Sequence, residues 1–168
     1  MSLKFGAIVA RFQVHKLHEG HIHLIDSVYK KCDEVIIMLG TPSKPNERNI
    51  LSYDIRKQMV LEMYPKAFVV KIIDHNEDDL WSQHLDDLLT GFAQSGEVTL
   101  FGSRDSFKSL YTGKYPYEHV SEKEGLSGTA SREEVINLQD YSKVDERFRA
   151  GIIHGFNLAI ARQKEKIE

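Results

Sequence analysis

Four short apolar runs recur along the chain: KFGAIVA (4–10), EVIIMLG (34–40), AFVVKII (67–73) and EVTLFG (97–102). Each is rich in β-branched residues and almost free of the polar–apolar alternation of a strand with one wet face. They therefore predict strands covered on both sides, as in a parallel sheet. Between them lie segments with helical spacing, at about 20–31, 52–64 and 78–94. The first places Leu24, Ile25, Val28 and Tyr29 on one face. The second opens on Ser52, a good N-cap, and carries Ile55, Met59, Val60 and Met63 as a stripe.

Beyond Gly102 the pattern thins. EHVSEKEGLSG (118–128) has room for a short fifth strand, and a helix is expected to start near Ser131. A last long helix, about 144–164, carries Val144, Phe148, Ile152, Phe156 and Ile160. Strands alternating with helices predict a doubly wound α/β fold around one parallel sheet of about five strands. No repeat or linker divides the 168 residues, so a single domain over 1–168 is expected. In such sheets ligands bind beyond the carboxyl ends of the strands. That directs attention to residues 10–21, 40–50, 74–81 and 102–106.

Composition narrows the functional classes. A net charge of −3 supplies no bulk attraction to nucleic acid or to an anionic membrane, so any anion site must be local. The longest apolar run is far too short to cross a bilayer, and the N-terminus lacks the form of a signal peptide. Cys32 is the only cysteine, which excludes an internal disulfide and reads as incidental beside a helix end. A cytoplasmic protein is expected.

Two segments carry unusual chemistry. RFQVHKLHEGH (11–21) crowds cations and histidines behind the first strand. His18, Gly20 and His21 fall where that strand hands over to a helix, whose unpaired N–H groups attract anions. Arg11 adds a permanent forked cation. Solvated polar residues at a helix start would look the same. Zinc is the other alternative, through His15, His18, His21 and His23. However, no cysteine or carboxylate completes a tetrahedral set at a familiar spacing. The second segment, EGLSGTASREE (124–134), offers Ser127, Gly128 and Thr129 to a phosphate, with Arg132 behind them. Ser131 and Glu134 also have the spacing of a capping box.

Taken together, HxGH after the first strand and SGTxxR opening a late helix resemble the paired signature of the nucleotidyltransferase α/β phosphodiesterase superfamily. Within it, ARFQ…HEGH resembles the GRFQPxHxGH of the nicotinamide mononucleotide (NMN) adenylyltransferases of archaeal type and of their Nudix-fused relatives. NERNILSYDIR (46–56) is similar to that group's NP(F/L)TxxxR, and DHNEDDLW (74–81) to its aspartate-then-tryptophan stretch.

The resemblance implies a Rossmann-like fold and transfer of AMP from ATP to NMN, giving NAD and pyrophosphate, with Mg2+ travelling on the ATP. Its implied catalytic residues are His18, His21 and Arg132. Arg11, Phe12, Gln13, Gly20, Arg56, Ser127, Gly128 and Thr129 would surround ATP and its phosphates. Asp74, Trp81, Gly102, Ser103 and Arg104 would receive NMN, the indole of Trp81 stacking on the nicotinamide ring. No metal ligand is expected from protein side chains, and no Nudix domain on a chain of this length. ATP and a phosphorylated small molecule are the implied partners.

The chain departs from the family pattern at Ala10, which replaces a glycine, and at Val14, which replaces a proline. Two extra residues also separate RFQ from the first motif histidine. Trp81 could equally be a core aromatic, and Ser103 or Asp105 an ordinary helix cap. Competing functions are another HxGH adenylyl- or cytidylyltransferase acting on phosphopantetheine or a phospho-alcohol, or a non-catalytic nucleotide sensor. Gly151 and Gly155 would let the last helix pack closely within the chain or across a subunit boundary, leaving a homo-oligomer open.

Overall fold

The computed structural model describes residues 2–122, except His15, Pro45, Glu47, Arg48, Ser95 and Asp105. Within these residues the chain alternates β1 (Lys4–Ala10), α1 (Glu19–Tyr29), β2 (Glu34–Thr41), α2 (Tyr53–Met63), β3 (Phe68–Ile73), α3 (Asp78–Ala93), β4 (Glu97–Gly102) and β5 (Tyr117–His119), with a 3-10 turn at Phe107–Ser109. The strands form one five-stranded sheet in the order β3-β2-β1-β4-β5, and every pairing is parallel. The expected doubly wound sheet is thus the one observed. Its fifth strand is shorter than the segment read for it and begins one residue earlier.

Alternate side chains of the inner strands feed two cores. Ile8 of β1 and Val35, Ile37 and Leu39 of β2 pack with Leu24, Ile25 and Val28 of α1 and Met59 and Val60 of α2. Phe5, Ala7, Ile36 and Met38 pack on the opposite face with Leu85, Leu89 and Ala93 of α3 and with Phe107. This two-sided burial is why the strand sequences are apolar throughout.

Gly6 sets the distance between β1 and α1. A Cβ there would lie 2.2 Å from Val28 Cγ1 and 3.0 Å from Cys32 Sγ. No methyl group fits, so the helix rests directly on the strand. The first strand lies between β2, reached through α1, and β4. The chain therefore runs outward on both sides of β1, and the β1/β4 boundary is the topological switch point where such sheets open a crevice.

Candidate functional site

The loop from β1 to α1 looks polar in sequence but is pinned by apolar side chains. Phe12, Val14 and Leu17 are all buried. Phe12 takes φ 47°, a left-handed conformation costly for a side-chain-bearing residue. Burial of the ring offsets that strain, and the ring lies 4.8 Å from His21's. Val14, where the resembling family has proline, therefore has a role in the core.

His18 is the N-cap of α1, and the cap is unusual in using two imidazoles. Its Nδ1 accepts from the Gly20 N–H at 3.1 Å, and the His18 N–H donates to His21 Nδ1 at 3.4 Å. The two rings stack at 3.6 Å with 21° between their planes. An Nδ1 that accepts carries no proton, so each neutral ring keeps its proton on Nε2. That N–H is the edge left to each ring for a ligand. Gly20 belongs to the same device: a Cβ there would sit 3.0 Å from His18 Cε1 and press on the ring.

Both rings are held neutral. Burial lowers the His21 pKa to about 3, the neighbouring His18 charge adding to the effect, and burial lowers His18 as well. Unfolded imidazoles titrate near 6.5, so below that pH the unfolded chain binds more protons than the folded one. Stability should then fall as pH drops from about 6.5 toward 3. Thermal unfolding followed at pH 7 and pH 5 is expected to show a larger drop in Tm for the wild type than for His21→Ala. Equal drops in the two proteins would refute the neutral-pair assignment.

Arg11 follows β1. Its Nη2 reaches both carboxylate oxygens of Asp74 at 2.9 Å, and its Nη1 reaches Asn49 Oδ1 at 2.9 Å. Asp74 is fixed in turn by its N–H on Thr41 O at 3.0 Å. The ends of β1, β2 and β3 and the loop before α2 thus meet at one cation. Arg11 keeps 47% of its side chain exposed. Asn49 was not singled out from the sequence, although it sits in the same NERN loop. Its value depends on reaching Arg11 across 38 residues, which no local pattern reveals.

Gln13 and Arg56 do not join Arg11 at an open surface. The Gln13 amide grips both backbone groups of Leu51, accepting from N at 2.8 Å and donating to O at 3.0 Å. Arg56 has no exposed surface, and its guanidinium is turned onto protein acceptors. Both were read in sequence as phosphate-side residues; here the Gln13 amide and four of the five Arg56 N–H donors make internal hydrogen bonds. The reason is the cost of leaving strand-end and helix-start groups unpaired in a buried place.

On the far side of the crevice, Gly102 ends β4, where a Cβ would meet Ser106 Cβ and Tyr117 Oη at 2.8 Å. Ser106, rather than Ser103, caps the 3-10 turn through its bond from Lys108 N, and Asp105 lies outside the described residues. Ser103 is half-buried, and Arg104 lies 3.9 Å from Glu122. Trp81, in the first turn of α3, is partly exposed and packs on the core with its ring 6.1 Å from that of Phe107. Ser127, Gly128, Thr129, Arg132, the Ser131–Glu134 pair and the helix at 144–164 lie outside the described residues.

His23, part of the alternative zinc set, bonds Ser121 O at 3.0 Å. Among the described residues no group of three or more His, Cys, Asp and Glu could hold a metal ion. A groove of about 530 Å³ runs along α3 beside Asp79, Asp86 and Thr112–Lys114, and it is lined by none of the candidate residues. Asp86 there is already committed to Tyr111 Oη and Lys114 N. No described helix is long and apolar enough to cross a membrane.

Comparison with known proteins agrees with this fold. The sequence pattern of the cytidylyltransferase-like family matches residues 11–144. A nicotinamide-nucleotide adenylyltransferase from Thermococcus onnurineus (strain NA1) is 27% identical over 96 residues, which is 53% of this chain and 50% of that protein. The chain therefore spans about half the length of that curated relative. Among solved structures, a bifunctional NMN adenylyltransferase/ADP ribose pyrophosphatase from Francisella tularensis, complexed with AMP and a manganese ion, superposes with a TM-score of 0.78 at 18% identity. The match covers 98% of this chain and 54% of that one. A NadR protein in complex with NAD and AMP-PNP gives a TM-score of 0.58 at 15% identity, over 90% of this chain and 48% of that one. At these identities the structural likeness speaks to the fold.

Proposed function

The chain belongs to the cytidylyltransferase-like family, and from that premise we propose that it is an NMN adenylyltransferase, moving AMP from ATP to NMN with release of pyrophosphate. The observation that carries the reading is the stacked His18–His21 pair at the head of α1, beside the β1/β4 switch point. Two neutral Nε2–H donors and a helix N-terminus form a site for polyphosphate oxygens.

The chemistry asks for little else. An oxygen of the NMN phosphate attacks the α-phosphorus of ATP, and the bond from the α-phosphorus to the bridging oxygen breaks as pyrophosphate leaves. The attacking phosphate is already largely ionised at neutral pH, its second pKa being about 6, so no general base is required. Catalysis then consists of alignment and of donors aimed at growing negative charge. A neutral histidine with its proton on Nε2 can do that work, because the Nε2–H still donates while Nδ1 holds the helix cap. Arg11 would hold phosphate beside them, and Asp74 and Trp81 would face the acceptor. Ser127, Gly128, Thr129 and Arg132 would take the leaving pyrophosphate, completing a nucleotidyltransferase domain over 1–168.

A divalent ion, magnesium in this reading, would screen the triphosphate oxygens. Such an ion keeps several waters and binds mainly through substrate phosphates. Cytidylyl transfer to a phospho-alcohol, which would suit the family's description, is the second reading.

Purified protein incubated with ATP, Mg2+ and NMN is expected to yield NAD and pyrophosphate in equal amounts. EDTA should abolish the reaction, and added Mg2+ should restore it. Absence of NAD, with product formed instead from CTP and a phospho-alcohol, would replace the first reading by the second. No product from either pair, nor from ATP with phosphopantetheine and other phosphorylated acceptors, would leave a nucleotide-binding protein without transfer activity.

A further inference from the structure

We propose that Arg56 is a positioning residue: it holds the chain ends that aim Arg11 and does not itself bind phosphate. The inference rests on the nucleotide-binding reading above and refines one of its residues. Arg56 sits in the first turn of α2 and has no exposed surface. Its Nη1 donates to Arg11 O at 2.9 Å and to Gly40 O at 2.8 Å. Its Nη2 donates to Thr41 Oγ1 at 3.0 Å, and its Nε to Ser52 O at 3.3 Å. One planar fork thus ties the residue after β1, the end of β2 and the N-cap of α2. A guanidinium can do this because its donors lie at fixed angles; an ammonium cannot span the same set.

The contacts close into a ring. Arg56 binds the backbone of Arg11 and the side chain of Thr41; Thr41 O accepts from Asp74 N; and Asp74 takes the Arg11 side chain. The two guanidinium groups have divided the labour. The half-exposed Arg11 faces outward on an exchangeable carboxylate, whereas four of the five Arg56 N–H donors are engaged by groups that no ligand could replace without opening the sheet end. Burial and the Arg11 charge together lower the Arg56 pKa to about 10, which leaves it a cation at any working pH.

The test uses the full chain with Arg56→Lys, Thr41→Val, Thr41→Ser, Arg11→Ala and the Arg11→Ala/Arg56→Lys double variant. ATP binding is measured by calorimetry, and the Arg11 guanidinium protons are followed by NMR. Arg56→Lys should weaken ATP about tenfold when Arg11 is present and less than twofold when it is alanine, the mark of coupled residues. The Arg11 Nη–H signals, separate in the wild type, should collapse in Arg56→Lys and Thr41→Val and return in Thr41→Ser. Should Arg56→Lys fail to fold, Thr41→Val, which removes one acceptor and keeps the strand, decides alone. Equal losses in both Arg11 backgrounds, or unchanged Arg11 signals, would overturn the proposal. A wild type that binds no ATP would overturn the nucleotide-binding reading, while the Arg11 signals still decide the role of Arg56.

Discussion

Alanine at His21 is expected to lower adenylyl transfer about 10²–10³-fold, the usual cost of removing one preorganised donor from a developing oxyanion. Two losses combine. The Nε2–H disappears, and His18 loses the ring that stacks on it at 3.6 Å. His18→Ala should act on the same scale. The two effects should not add in the double variant, because the rings work as a unit. Glutamine at position 21 separates folding from chemistry. It is a normal N3 partner in a capping box and can accept from the His18 N–H, so His21→Gln should keep the Tm while activity stays low. Turnover of His21→Ala within threefold of the wild type would remove the histidine pair from the mechanism.

Valine at Gly6 is expected to give the largest loss of stability, about 3 kcal/mol, the upper part of the range for overpacking a core. A Cβ alone would stand 2.2 Å from Val28 Cγ1, and the two methyl groups of valine would press further into α1. Urea unfolding should show this as a lower midpoint, with a Tm decrease of about 6–12 °C for a chain of this size. The damage should reach the site. Helix α1 carries His18 and His21 at its head, so a helix pushed off β1 shifts both rings. ATP affinity should therefore fall in Gly6→Val even where the protein remains folded. A midpoint within the error of the wild type would show that α1 can slide without cost.

The two predictions differ in how far a reader of the sequence could have foreseen them. The histidines stand three apart behind a buried run, a spacing that suits a helix head and that gains its meaning only when paired with the SGTASR segment. Gly6 carries no such mark, since a glycine inside a strand reads only as a weak strand residue. Its meaning lies in Val28 and Cys32, more than twenty residues away. For β5 the sequence offered a segment, 118–128, but not the bounds. Three residues paired only with β4 have too little pattern to mark their own ends, and their exact place is decided by the partner strand. Ser52, by contrast, was legible as the cap of α2, because a cap bonds N–H groups within one turn of itself.

The sequence by itself determined the alternation of strand and helix, the parallel character of the sheet, and the histidines at the first helix start. Those follow from local periodicity and from the need to bury both faces of each strand. Only the tertiary structure decided the order β3-β2-β1-β4-β5, and with it the switch point beside β1. It also decided which polar side chains remain available to a ligand. Arg11, Gln13 and Arg56 look alike as polar residues near strand ends, yet Gln13 and Arg56 bond mainly to backbone groups, whereas Arg11 bonds to the side chains of Asp74 and Asn49. What separates them is which carbonyls and N–H groups the packed sheet leaves unpaired, and that is settled by contacts across the fold.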